Sequence, residues 1–268
     1  MMASLYFRLD VLAMKARGKL PQFSWVDLAS MMGTSSDLWP SDKLVRRTAS
    51  SGALSLYETP IGPVGHGSQE GEAKILGLLV LEELRGTYER AQVKIQPGDI
   101  VIDLGANVGA FTRFALSRGA AKVIAFEPEP RHLSILRLGF APEIEQGRVV
   151  LVEAGAWRER TTLRFHSAGL VSQVDGSGEL EIQAVRIDDV VRELGLGRVD
   201  FIKADIEGAE RHALSGASET ITTFGPRMAL CVYHLSDDLQ VMTAAIQQMR
   251  PYKVSVNAGR NQAFYHPV

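Results

Sequence analysis

The fold is decided by the stretch GDIVIDLGANVG, residues 98–109. Its apolar part, 99–104, has the composition of a buried strand, and a glycine-rich turn and a helix over 110–118 follow at once. Gly105 permits a tight turn with the backbone close to a ligand, and Gly109 lets the helix pack near that turn. The stretch therefore predicts a strand, a turn and a helix that together form one wall of a ligand site.

The turn departs from the dinucleotide-binding fingerprint Gly-x-Gly-x-x-Gly. Asn107 and Ala110 stand at the positions of its second and third glycines. The second glycine normally leaves room for a pyrophosphate, which an asparagine side chain would crowd. A cofactor without a pyrophosphate tolerates that position, and S-adenosylmethionine is such a cofactor. We predict that it binds here, with Asp103 helping to hold its charged methionine end.

Short apolar runs alternate with helical stretches from residue 91 onward, which predicts a parallel sheet covered by helices on both faces. The last two runs are joined by too few residues for a crossover, so the last strand should be antiparallel. The expected fold class is α/β, with a seven-stranded, mostly parallel sheet and a polar detour that carries two further strands, 162–165 and 180–187. The seven strands are predicted at 99–104, 122–126, 149–152, 200–204, 228–233, 253–256 and 262–265, with later helices at 209–221 and 237–249.

The first 90 residues have a different texture, with no strand alternation and with Gly/Pro/Ser clusters at 31–36 and 59–68. Leucine spacing predicts one helix within 5–20 and a second over 71–90, the latter with Glu82 and Glu83 facing outward. We therefore divide the chain into a helical N-terminal cap that forms the substrate region, residues 1–90, and a cofactor-binding domain, residues 91–268.

Three further residues are candidates for contact with the cofactor. Glu127 ends the second strand, roughly 20 residues after the glycine turn, where a carboxylate accepts both ribose hydroxyls. Ala156 follows the third strand, where an adenine ring would lie against small residues. Tyr88 precedes the first strand and would reach over the methionine part. Each residue also has a structural alternative. Glu127 would then be a solvated carboxylate at a strand end, Ala156 part of a tight turn, and Tyr88 a residue packed at the surface.

Titratable side chains follow the fourth and fifth strands, where open α/β sheets bind ligands. Asp205 and Glu207 come after 200–204, and His234 comes after 228–233. Because histidine titrates near neutral pH, we predict His234 as the general base for a hydroxyl and Asp205 as its catalytic partner. A divalent cation held by Asp205, Glu207 and His234 is an open alternative that we do not favour.

Composition excludes several classes of protein. The 268 residues contain 29 Lys and Arg against 31 Asp and Glu, a net charge of −2, which argues against a nucleic-acid partner. The single cysteine, Cys231, excludes an internal disulfide framework. No apolar run reaches the roughly 20 residues of a membrane span, and charged residues near the N-terminus argue against a signal peptide. We expect a cytoplasmic protein.

The sequence resembles the FkbM-type methyltransferases, a branch of the S-adenosylmethionine-dependent class. The resemblance rests on GDIVIDLGANVG at 98–109, AFEPEP at 125–130 and DFIKADIEGAE at 200–210, and it spans about residues 88 to 258. The third stretch is the most specific to the family. The resemblance implies a class I methyltransferase (Rossmann-like) sheet, cofactor binding at Asp103, Gly105, Asn107 and Glu127, and methyl transfer, usually to a hydroxyl oxygen of a small or sugar-like molecule.

Two other functions remain open at this point. A nucleotide-cofactor oxidoreductase on a similar sheet would bind a nicotinamide cofactor, which Asn107 disfavours. A non-catalytic S-adenosylmethionine-binding subunit would bind the cofactor and form no methylated product. The identity of the acceptor and the oligomeric state, including a homo-oligomer, are not determined by the sequence.

Overall fold

The structure is a computed structural model, and it describes residues 41–69, 71–166, 173–174, 180–257 and 262–268, together with Ala16. The helix predicted within 5–20 and the cluster at 31–36 lie outside these residues, apart from Ala16. None of the helices described here has the length and apolar character needed to cross a membrane.

A seven-stranded sheet forms the centre of the protein, as the sequence predicts. The strand order is β13-β14-β12-β11-β4-β5-β6, and every neighbouring pair is parallel except those that involve β14. The predicted antiparallel last strand is therefore confirmed. The strands are β4 (Ile100–Leu104), β5 (Lys122–Phe126), β6 (Val149–Val152), β11 (Phe201–Ala204), β12 (Arg227–Cys231), β13 (Tyr252–Asn257) and β14 (Gln262–Pro267).

Apolar clusters cover both faces of this sheet. Val101 belongs to one cluster and Ile102 to the other, because successive side chains of a strand point to opposite faces. Each face is closed by helices that bury an apolar side against it. The helices are α1 (Glu72–Leu84), α2 (Ala110–Ser117), α3 (Pro130–Gly139), α4 (Ala141–Glu145), α5 (Ile187–Glu193), α6 (Glu210–Ser215), α7 (Ser218–Phe224) and α8 (Asp238–Met249).

The segment before the sheet corrects the prediction of an all-helical cap. Residues 46–67 form an antiparallel sheet of β1 (Arg46–Ser51), β2 (Leu54–Glu58) and β3 (Val64–Gly67). Strand β1 is exposed along its whole length, so it lacks the alternation that identifies a strand in a sequence. Helix α1 occurs as expected but ends at Leu84, before Gly86 adopts a positive φ of 68°. The domain boundary at residue 90 stays a prediction.

The polar detour forms a second small sheet. Strand β10 (Leu180–Val185) pairs antiparallel with β8 (Thr161–His166) and parallel with β7 (Gly155–Ala156), and β9 (Gln173–Val174) pairs with β8. The sequence predicts both longer strands. Helix α5, which the sequence reading leaves out, returns the chain to β11.

The predicted helix 209–221 is two helices. It breaks at Gly216, where a β-carbon would lie 2.0 Å from the carbonyl oxygen of Trp157. Helix α7 then begins at Ser218, and Oδ1 of Asp188 accepts the backbone N–H of Thr220 in its first turn at 2.8 Å. A contact with a distant loop therefore ends the first helix, and a buried carboxylate caps the second.

We expect Gly216→Ala to lower the free energy of unfolding by about 1–3 kcal/mol, because the added carbon must displace the Trp157 backbone. Denaturant titration measures the effect. Gly197→Ala is the matched control, since a β-carbon at Gly197 meets nothing within 4 Å. Equal stability of the two variants would contradict the proposed close approach.

Candidate functional site

A cavity of about 230 Å³ opens at the carboxyl edge of the sheet, beside the ends of β4, β5 and β11. Most of the predicted site residues line it, namely Tyr88, Gly105, Asn107, Glu127, Ala156, Asp205 and Glu207. Three others, Asp103, Gly109 and His234, are not among the lining residues. The predicted site is thus assembled in one place, with a division between lining and supporting residues.

The glycine turn is shaped by two close approaches. Gly105 has a φ of 76°, and a β-carbon there would lie 2.2 Å from the carbonyl oxygen of Asp205. Gly109 has a φ of 88°, and its β-carbon would lie 2.3 Å from the ring of Phe140. Both positions therefore require glycine for space as well as for conformation.

Glu127 is held in a fixed orientation at the end of β5. Its Oε2 accepts the backbone N–H of Asn107 at 2.7 Å, and its Oε1 accepts that of Glu129 at 2.9 Å. Each carboxylate oxygen can accept more than one hydrogen bond, so both keep capacity for a ligand hydroxyl. This arrangement suits a carboxylate that accepts hydrogen bonds from the hydroxyl groups of a ribose.

Asp103 turns away from the cavity and pairs with a buried lysine. Its Oδ1 lies 3.1 Å from Nζ of Lys203, and its Oδ2 accepts the hydroxyl of Thr112 at 2.7 Å. Nζ of Lys203 also donates to the carbonyl oxygens of Leu104 at 3.1 Å and Gly105 at 2.8 Å. We therefore assign Asp103 to the support of the turn, through Lys203, in place of the direct cofactor contact predicted for it.

Lys203 supports the glycine turn, a role that the sequence analysis did not predict. Its ammonium group lies 5.4 Å from the ring centre of Tyr88, and the side chain is almost completely buried. The pattern contained one indication, since a lysine inside the apolar strand 201–204 needs a buried partner. The partner was not identifiable because it lies 100 residues earlier in the chain.

A cluster of four titratable residues, the His234 cluster, lies beside the ends of β11 and β12. It consists of Asp205, Glu207, Glu210 and His234. Nε2 of His234 lies 3.1 Å from Oε2 of Glu207 and 3.9 Å from Oδ1 of Asp205, and its Nδ1 lies 3.2 Å from Oε1 of Glu210. The hydroxyl of Tyr88 donates to Oδ2 of Asp205 at 2.7 Å. Asp205 and Glu207 line the cavity, whereas His234 is in contact with Glu207 and is not among the lining residues.

The carboxylates around His234 control its charge. Burial acts to lower the pKa of His234, but Glu210, Asp205 and Glu207 outweigh it, so the pKa lies above its ordinary value. Burial and the nearby Asp205 raise the pKa of Glu207, and His234 opposes that shift. The imidazole therefore retains its proton to a higher pH than a free histidine does.

Three residues of the His234 cluster offer donor atoms that could hold a metal ion. Atoms of Asp205, Glu210 and His234 lie within 4.8 Å of one another, so Glu210 takes the place predicted for Glu207 in such a set. However, the two oxygens of Glu210 accept the backbone N–H groups of Ile206 at 2.8 Å and Gly208 at 3.0 Å. Glu210 therefore helps to close the loop, and a metal ion held by this cluster stays an alternative that we do not favour.

The cavity contains an apolar wall that the sequence did not indicate. Leu163 and Ile182 from the small sheet, and Trp157 after β7, line it beside Ala156. Glu83 of α1 also lines it and is buried, although the helical pattern predicts that it faces outward. These residues reach the site through tertiary packing, so no local pattern identifies them.

The strand order is that of the class I, Rossmann-like methyltransferase fold. A solved structure described as methyltransferase FkbM, from Methylobacillus flagellatus KT, superposes with a TM-score of 0.51 at 22% identity. That match covers 72% of this chain and 54% of the solved one. The family described as the methyltransferase FkbM domain matches residues 103–252, and the chain belongs to this family. The resemblance noted in the sequence is thereby confirmed.

Two curated relatives are similar over part of the chain. The 31-O-demethyl-FK506 methyltransferase FkbM of Streptomyces tacrolimicus is 29% identical over 212 residues, which are 66% of this chain and 80% of the relative. The 2-O-methyltransferase NoeI of Sinorhizobium fredii is 27% identical over 150 residues, 47% of this chain and 60% of the relative. The family and these relatives identify the chain as a methyltransferase.

We expect Lys203→Met to lower the free energy of unfolding by about 3–5 kcal/mol, because it leaves the carboxylate of Asp103 buried without its partner. The double variant Asp103→Leu with Lys203→Met removes both charges and should recover a large part of that loss. Denaturant titrations of the three proteins measure the difference. A single variant as stable as the unmodified protein would contradict a structural role for the pair.

Proposed function

We propose that the protein transfers a methyl group from S-adenosylmethionine to a hydroxyl oxygen of a small-molecule acceptor. The proposal rests on the charge of the cavity. Apart from the buried Glu83, the carboxyl groups among the described residues that line it are those of Glu82, Glu127, Glu129, Asp205 and Glu207. Lys203 is the lysine among the described lining residues, and Asp103 balances its charge.

An acidic cavity selects between the two cofactor classes considered for this sheet. S-adenosylmethionine carries a sulfonium and an ammonium group, so it is attracted by an excess of carboxylates. A nicotinamide cofactor carries a pyrophosphate, which the same field repels. Asn107, which has a φ of 51° and stands where the fingerprint has glycine, adds a steric objection to a pyrophosphate. The oxidoreductase alternative is therefore not favoured.

The carboxylate of Glu127 would bind the ribose hydroxyls, and the wall of Ala156, Trp157 and Leu163 would receive the adenine. When bound, S-adenosylmethionine would supply an electrophilic methyl carbon on a positively charged sulfur, which leaves as the neutral thioether. The protein then has to align the acceptor and remove one proton. The family membership and the names of the two O-methyltransferase relatives support a hydroxyl acceptor.

We propose that the His234 cluster removes the proton of the acceptor hydroxyl. Asp205 and Glu207 line the cavity, so they would contact the acceptor hydroxyl and orient it. The imidazole of His234 lies 3.1 Å from Glu207 and would be the final acceptor of the proton. Its raised pKa suits this role, because a more basic imidazole holds the proton more firmly.

We expect Glu127→Gln to weaken the binding of S-adenosylmethionine by about tenfold or more, because charge-assisted hydrogen bonds to the ribose are lost. Isothermal titration calorimetry measures the dissociation constant. Glu153→Gln is the matched control, since Glu153 is exposed after the next strand and pairs with Arg137. Equal affinities of the two variants would contradict the ribose role of Glu127.

We expect His234→Ala to lower kcat by about 10²–10⁴-fold while the affinity for S-adenosylmethionine changes little. A panel of hydroxylated macrolides and glycosides supplies the acceptor, and product is detected by mass spectrometry. Only the neutral imidazole accepts a proton, so the rate of the unmodified protein should fall as the pH drops through a pKa above 6.5. Full turnover of the variant at neutral pH would exclude His234 as the base.

The same assay distinguishes the remaining alternative. A non-catalytic subunit would bind S-adenosylmethionine with a measurable dissociation constant and would methylate no acceptor in the panel. The alignment of Asp205, Glu207 and His234 beside the cavity favours a catalytic protein, because a binding module has no need of a proton acceptor there.

A further inference from the structure

Glu83 is a buried carboxyl group whose position the fold does not explain. It lies on α1, before the part of the chain that the family matches, and only 5% of its surface is exposed. Its side chain lines the cavity, and its Oε2 has no hydrogen-bond partner among the described residues. Burying a carboxyl oxygen without a partner costs free energy, so a ligand is the natural candidate for that partner.

The charged groups around Glu83 do not supply this partner. Lys203 faces it from β11, but its ammonium group is already bound by Asp103 and by two carbonyl oxygens. The other neighbours, Asp103, Asp205 and Glu82, are acidic. Burial raises the pKa of Glu83 well above its ordinary value, and Lys203 opposes this shift. Among the described residues, the site therefore offers no unpaired cation that would let Glu83 ionise.

The order of the strands places Glu83 on one side of the glycine turn. Glu127 follows β5 and Asp205 follows β11, on opposite sides of the glycine turn after β4. Glu83 belongs to the Asp205 side, since it lies shortly before Tyr88, whose hydroxyl donates to Oδ2 of Asp205 at 2.7 Å, and all three residues line the cavity. A cofactor with its ribose on Glu127 that extends past Gly105 brings its methionine part to this side.

We propose that Glu83 binds the ammonium group of the methionine part of S-adenosylmethionine. The inference rests on the proposed function, because it takes that cofactor as the ligand. The ammonium is a cation that the described residues around Glu83 do not supply, and the unpartnered carboxyl group can accept one of its N–H groups. The leading segment then contributes directly to cofactor binding, outside the matched family domain.

The test compares three ligands in titrations of Glu83→Gln and of the unmodified protein. S-adenosylmethionine and S-adenosylhomocysteine both carry the ammonium group, whereas 5′-deoxy-5′-methylthioadenosine lacks the whole amino-acid part. We expect the variant to bind the first two about tenfold more weakly, since a charge-assisted hydrogen bond is lost. Its affinity for methylthioadenosine should stay within about twofold, which also shows that the variant is folded.

Two results would overturn the assignment. Unchanged affinities for all three ligands would mean that Glu83 does not contact the cofactor. Equal weakening of all three would mean that the substitution disturbs the cavity as a whole. An unmodified protein that binds none of the ligands would instead contradict the proposed function, so the two failures are distinguishable.

Discussion

A buried lysine joins the two loops that form the floor of the cavity. Nζ of Lys203, on β11, donates to the carbonyl oxygens of Leu104 and Gly105 at the end of β4 and pairs with Asp103 below them. The two strands are adjacent and parallel, so this bond fixes the end of one loop to the start of the other. The close contact of Gly105 with the backbone of Asp205 follows from the same arrangement. The lysine thus fixes the glycine turn relative to the loop that begins at Asp205.

The turns that follow β4 and β11 each contain a residue other than glycine with a positive φ. Asn107 has a φ of 51° and Glu207 a φ of 53°, in a region that residues other than glycine seldom adopt. Asparagine adopts it at low cost, whereas a glutamate there stores strain that the surrounding bonds must hold. Glu210 supplies such bonds through the N–H groups of Ile206 and Gly208. The strained turn directs Glu207 toward both the cavity and His234.

The sequence predicted the parts of the fold that depend on local periodicity. The seven strands of the main sheet and their antiparallel end follow from apolar runs and short connections, and they are confirmed. Strand β1 escaped prediction because it is wholly exposed, and the break at Gly216 because a distant carbonyl causes it. A sequence pattern therefore predicts a strand or helix only where the burial of that element's own residues determines its structure.

The candidate site likewise contains residues that the sequence could predict and contacts that it could not. Glu127 and Asp205 stand at strand ends, a position that a sequence shows, and both line the cavity. The pairing of Asp103 with Lys203 joins residues 100 positions apart, so the sequence assigned Asp103 to the ligand. Glu83 was assigned to solvent, because one buried acid on a helix has no periodic signature. Such contacts become visible only when the elements are packed together.

A crystal structure of the complex with S-adenosylhomocysteine tests the central claim most directly. We predict density for the ribose hydroxyls on Glu127, for the adenine beside Ala156, and for the sulfur on the side of the glycine turn that faces Asp205. Density for the compound at another place on the protein, or with its ribose remote from Glu127, would contradict the account of this cavity.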